Sequence, residues 1–235
     1  MKSQNRRVFL KLSGEALQDP ATKGFDLETV KDVARQVKGA ADNGVEVGIV
    51  IGGGNFWRGR TGTEIDRTKS DQIGMLATVM NCLYVSEVFR SEGMKTDIFT
   101  PFTVGAMTKL FSKDAANDAF AAGKICFFAG GTGHPYFSTD TGIMLRAIEM
   151  EADQILLAKK IDGVYDSDPR LNPAAKKYDV VPIHELVEKR LDVIDHTASV
   201  MSEDNHMPFA VFDLRVENSI EDALNGKING TIVTA

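Results

Sequence analysis

Residues 45–55 read Val45-Glu46-Val47-Gly48-Ile49-Val50-Ile51-Gly52-Gly53-Gly54-Asn55, a β-branched apolar run that breaks into three consecutive glycines. Such a short run without helical spacing reads as a strand buried on both faces. Three adjacent glycines lose much backbone entropy on folding, so the turn calls for a reason. Anion binding supplies one. Glycine leaves backbone N–H groups open to a phosphate, and a following helix adds its positive end.

The same design recurs on either side. Leu12 ends the run Val8–Leu12 and is followed by Ser13-Gly14, while Ala129 ends Ile125–Ala129 and is followed by Gly130-Gly131-Thr132-Gly133. Further strands are expected at Lys95–Thr100, Gln154–Ala158, Phe209–Phe212 and Thr231–Val233. Between them lie helical spacings. Leu27, Val30, Val33, Ala34 and Val37 form one face, stopped by Asn43-Gly44, and Ile73, Leu76, Val79, Met80 and Leu83 form another. A third helix starts near Thr139-Asp140-Thr141. Strands alternating with helices predict an α/β fold with a mostly parallel sheet covered on both faces. Ligands of such sheets sit beyond the carboxyl ends of strands, where the glycines are concentrated. Tyr165–Pro182, rich in Asp, Pro and Lys, reads as the seam between two lobes.

Apolar residues at 43% and charged residues at 26% fit an ordinary globular chain rather than a disordered one. The formal charge of -6 argues against broad nucleic-acid or anionic-membrane binding, so a polyanion must be held by local cations. Cys82 and Cys126 sit in apolar sequence without CxxC spacing, which suits buried thiols in a reducing compartment. No signal peptide and no membrane span are expected, and the cytoplasm follows as the location.

Neither GxxxxGK[ST] nor GxGxxG occurs, so any phosphate cradle is of another design. Lys11 and Lys159-Lys160 stand at strand ends beside such turns, where an ammonium can neutralise phosphate oxygens; a solvated strand-end charge is the plainer alternative. Asp140 either caps a helix or orients these lysines, and Asp168 either shapes a turn or contacts a nucleotide. Arg58 can make a bidentate phosphate contact. His134, His184, His196 and His206 have no zinc-like spacing, and no protein metal site is expected. Any Mg²⁺ would enter with the phosphates of a bound ligand, since it keeps waters and needs few protein ligands.

Taken together, Lys11 through Leu17, Val50 through Asn55 with Arg58-Gly59, Asp71 with Gly74 through Asn81, Gly131 through Asp140, and Lys160 through Tyr165 with Asp168-Pro169 resemble the bacterial UMP kinases. The blocks keep order and spacing along nearly the whole chain. The resemblance implies an amino-acid-kinase-like open three-layer αβα sandwich. It implies a single domain over residues 1–235, with an acceptor (UMP) lobe roughly over 1–150 and an ATP lobe roughly over 151–235. It further implies a homohexamer, Mg-ATP as donor, UMP as acceptor in pyrimidine nucleotide synthesis, inhibition by UTP and activation by GTP.

Carried onto this chain, the resemblance assigns Lys11, Leu12, Ser13, Gly14, Gly54 and Arg58 to the ATP phosphates. Lys159, Tyr165 and Asp168 fall on the adenosine side, with Lys159 where the family has Thr or Asn. Gly53, Asp71 and the loop Thr132, Gly133, His134, Pro135, Tyr136, Phe137, Ser138 and Thr139 match the UMP site. Lys11, Asp140 and Lys160 match the transfer centre, and Asp19–Phe25 matches a region linked to the GTP response. Two other readings remain open at this level: a kinase of a small carboxylate or carbamate, and a non-catalytic nucleotide- or oxoanion-binding protein.

Overall fold

The computed structural model describes residues 5–19, 24–59, 64–169, 171–189, 191 and 193–234. Residues 20–23 of the expected GTP-linked loop therefore lie outside the described residues. Strands β1 (Arg7–Leu12), β2 (Glu46–Ile51), β3 (Thr96–Thr100), β4 (Lys109–Leu110), β5 (Ile125–Phe128), β6 (Gln154–Lys159), β7 (Val180–Pro182), β8 (Phe209–Asp213) and β9 (Gly230–Thr234) form one sheet. Their order is β4-β3-β5-β2-β1-β6-β8-β9-β7. Pairing is parallel from β4 through β8, and only β8 against β9 is antiparallel. The strands of the four expected βα turns, β1, β2, β5 and β6, are therefore neighbours, and their carboxyl ends finish along one edge.

Among the described residues, seven α-helices cover the sheet: α1 (Leu27–Asp42), α2 (Arg67–Ser91), α3 (Lys113–Ala121), α4 (Thr139–Glu149), α5 (Ile183–Lys189), α6 (His196–Asp204) and α7 (Ser219–Leu224). Strand alternation sorts the core into two layers. Val8, Leu10 and Leu12 point into a cluster with α1, α2 and α7, while Phe9 points into one with α3, α4, α5 and α6. The result is the three-layer αβα sandwich expected from the sequence.

The expected strands all form, with ends shifted by a residue or two. Stop signals also act as read: Asn43 closes α1 and Gly44 takes a φ of 87°. Two elements were not foreseen as strands, β4 and β7, because two and three residues carry no periodicity. The short helices α3, α5, α6 and α7 were not foreseen either. Among the described helices, α2 is the one long and apolar enough to be weighed as a bilayer span. Its 25 residues meet that test by length and composition, yet half of the apolar window is buried within the fold, as in a core helix. Its Val79, Cys82, Val85 and Phe89 pack into the first core layer.

Phe9 shows how tightly the second layer is set. It is fully buried, lies 5.1 Å from the Phe128 ring centroid, and would stand 2.8 Å from any Cβ placed on Gly48. Gly48 is thus the socket in β2 that admits the ring. Phe9→Ala should cost about 3–5 kcal/mol of stability, read as a lower urea midpoint at unchanged slope.

Candidate functional site

Lys11 follows Phe9 by two residues, so its side chain leaves β1 on the α4 face, at the strand's carboxyl end. There it pairs with Asp140 in the first turn of α4, and the two side chains are only 16% and 17% exposed. Asp140 is available for this because it is not the helix cap. Ser138 is: its Oγ accepts from the N–H groups of Asp140 at 3.0 Å and Thr141 at 3.3 Å. The capping reading of Asp140 is therefore corrected, and the orienting reading fits the geometry.

A cavity of about 650 Å³ opens at this strand edge. All three glycine turns reach it, through Ser13 and Gly14, Gly52 to Gly54, and Gly131 and Thr132. Their closeness is measurable. A Cβ on Gly14 would stand 2.4 Å from the Gly52 carbonyl oxygen and 2.3 Å from Asn55 Oδ1, so no larger residue fits that approach. Lys11, Lys159, Lys160, Arg58 and Arg67 bring positive charge to the walls, which Asp71, His134, Phe137, Ser138 and Thr139 also line. Arg58 Nε donates to Glu15 Oε1 at 3.0 Å, so its guanidinium is already aimed across the β1 and β2 turns.

Asp71 organises the far end. Its Oδ2 accepts from Arg67 Nε at 2.8 Å and from the Tyr136 N–H at 2.8 Å. Tyr136 holds a left-handed φ of 73°, with Arg67 stacked over its ring at 5.1 Å. Gly59 passes so close that a Cβ would lie 2.2 Å from Asp71 Oδ1. Asp71 thus fixes the loop 132–139 rather than standing in open solvent.

Lys159 extends from the same face as Lys11, because Lys11 pairs with Leu157 and Lys159 lies two residues on. Its Nζ donates to the Val193 carbonyl oxygen. Burial holds this ammonium below the ordinary lysine pKa and the Lys11 charge pushes the same way, while Asp140 and Asp195 oppose. The structure therefore brings Lys159 to the Lys11 end of the cavity.

Leu12, Gly133, Pro135, Tyr136 and Asp140 stand beside the lining residues rather than among them. Tyr165 and Asp168 are not in the lining; the Tyr165 hydroxyl donates to Asp162 at 3.0 Å. Sequence reasoning missed Asp195, which caps α6 and accepts from Thr141 Oγ1 at 3.0 Å and from Ser138 Oγ. It thereby ties the starts of α4 and α6 together. The signal was present as an Asp before a helical run, but nothing local joined it to Ser138, 57 residues away.

The family model for the amino acid kinase family matches residues 6–213. The chain belongs to the amino acid kinase family. Within it, the chain is similar to UMP kinase from Bacillus anthracis, at 34% identity over 97% of this chain and 96% of that one, with a TM-score of 0.93. UMP kinase from Ureaplasma parvum is similar at 32% identity over 99% and 100% of the two chains, with a TM-score of 0.93. Uridylate kinase from Archaeoglobus fulgidus, at 24% identity, covers 96% of this chain and 99% of its own, and its TM-score of 0.75 marks a shared fold.

The depressed pKa of Lys159 has a stability consequence with a definite sign. Below its folded pKa the native state carries the full cost of the buried charge; as pH rises toward the ordinary lysine value of 10.5, the unfolded chain holds more protons than the native one. Native stability should therefore rise over that window relative to Lys159→Met. Urea unfolding of both proteins from neutral to alkaline pH measures this difference.

Proposed function

We propose that this chain transfers the γ-phosphoryl group of Mg-ATP to UMP, giving ADP and UDP. The carrying observation is one cavity that joins three glycine turns and Lys11 to the Asp71 end and its loop. The similarity to two UMP kinases over nearly full length supports the same reading.

In this reading a phosphate oxygen of UMP attacks the γ-phosphorus. A new P–O bond forms to UMP as the bond from the γ-phosphorus to the bridging oxygen of ADP breaks. The acceptor is already ionised near neutral pH, since the second pKa of a phosphomonoester is about 6, so no general base is needed. The protein's work is positioning and charge neutralisation. Lys11, held by Asp140, faces the transferred group, with Lys160 as its partner. Backbone N–H groups of Ser13-Gly14 and Gly54, with Arg58, hold the donor phosphates. Mg²⁺ enters as part of the ATP substrate and shields its phosphate charge.

The acceptor is held between Gly53, Asp71 and the loop 132–139, and the lobe over 1–150 serves it while 151–235 serves ATP. Tyr165 and Asp168 would contact adenosine once it extends past the cavity. UTP inhibition, GTP activation, a homohexamer and a cytoplasmic place in pyrimidine nucleotide synthesis belong to the same reading.

A coupled assay of ADP formation with UMP, CMP and aspartate tests it directly. UMP should be strongly preferred; aspartate as the better acceptor, or ATP binding without any UDP, would refute it. Lys11→Ala should lower kcat by roughly 10²–10³-fold, the scale of losing one group that stabilises transition-state charge. Asp71→Asn should raise KM for UMP more than KM for ATP, and equal increases would remove Asp71 from the acceptor site.

A further inference from the structure

On α2, residues Asp71, Gly74, Ala77, Thr78 and Asn81 share one stripe by helical spacing, and that stripe faces the glycine turns. Two of its polar side chains are almost completely buried, Thr78 at 3% and Asn81 at 2% exposure. Burying such groups is costly unless they are paired, and both are paired with loop atoms. Asn81 Nδ2 lies 2.7 Å from the Gly52 carbonyl oxygen and 2.7 Å from Asn55 Oδ1, and Asn55 Nδ2 returns a bond to Asn81 Oδ1 at 3.1 Å. A turn earlier on the helix, Thr78 Oγ1 accepts from the Gly130 N–H at 2.8 Å while donating to the Met75 carbonyl oxygen at 2.7 Å. Between these two contacts, Gly53 lies flush on the helix: a Cβ there would stand 2.8 Å from the Gly74 carbonyl oxygen and 3.0 Å from Ala77 Cβ.

We propose that Asn81 and Thr78 are positioning residues that set donor and acceptor turns against one rigid helix, Asn81 for the ATP-phosphate turn and Thr78 for the acceptor turn. Asn81 stands outside the cavity lining, whereas Thr78 is part of it with its hydroxyl already committed to Gly130 and Met75. Asn81 fixes the backbone of Gly52 and, through Asn55, the approach to Gly14. Thr78 fixes Gly130, from which the acceptor loop departs. Their separation along a single helix then sets the distance between the two bound phosphates. The assignment of donor and acceptor to these turns rests on the function proposed above.

The two links make separable claims, so binding is measured for each ligand alone by calorimetric titration with a non-hydrolysable ATP analogue and with UMP. Asn81→Ala should weaken the analogue roughly 5–10-fold, the scale of one or two lost hydrogen bonds, with UMP affinity changed less than about twofold. Asn55→Ala cuts the same link from the loop side without entering the core, and should give the same split. Thr78→Val should do the reverse, and Thr78→Ser, which keeps the hydroxyl, should restore UMP affinity. Equal weakening of both ligands in each variant, or none, would overturn the proposal and leave a purely structural role. If the unsubstituted protein binds both ligands but forms no UDP, the proposed reaction fails while the affinity split still decides the positioning roles.

Discussion

The pairing of Lys11 with Asp140 ties the central strand of the sheet to the helix that follows β5, and the site is arranged around that tie. A strand buried on both faces has no place for a charge except at its end, where the core stops. Lys11 occupies that end, and burial at 16% exposure leaves its ammonium poorly solvated by water alone. A carboxylate must therefore come to it. Ser138 takes over the capping of α4, Asp195 braces Ser138 and Thr141, and Asp140 is left to meet the lysine. The local chemistry of four residues thus depends on where one strand ends.

Parallel pairing makes the rest of the cavity possible. Because β1, β2, β5 and β6 run in the same direction in adjacent positions, their turns crowd together at one edge. Crowding is why glycine recurs there. At Gly14 a methyl group would collide with the neighbouring turn, and at Gly53 with the backbone of α2. The empty space that admits a ligand and the missing side chains that allow turns to touch have the same origin.

Most of this was legible in the sequence, and the exceptions have physical causes. Strands such as Val45–Ile51 announce themselves by β-branched apolar runs, and the turns by glycine, so the fold class and the three cradle segments could be read directly. β4 and β7 could not, since two or three residues gain strand geometry only from a neighbour. Asp140 was legible as important but ambiguous, because an Asp at a helix start suits capping as well as chemistry; only the Ser138 contact decides between them. Asp195 and Asn81 were invisible as site residues for a different reason. Each acts on a segment far along the chain, Asn81 on Gly52, 29 residues back, and no local pattern encodes that meeting. Lys159 was read both as a strand-end cation and, from the resemblance, as an adenosine-side residue, and its contacts place it beside Lys11 without choosing between the two.

The margins of the sheet carry a consequence for how copies of this chain can associate. One margin is a stub of two residues, Lys109–Leu110, and the other is three, ending at Pro182, which has no N–H to offer. Neither presents the long unpaired row of donors and acceptors that recruits a foreign strand. Association by extending the sheet is thus closed off at both sides. The surface left for any neighbouring molecule is helical, and there Leu76 and Met80 of α2 stand half exposed, opposite the stripe that grips the glycine turns.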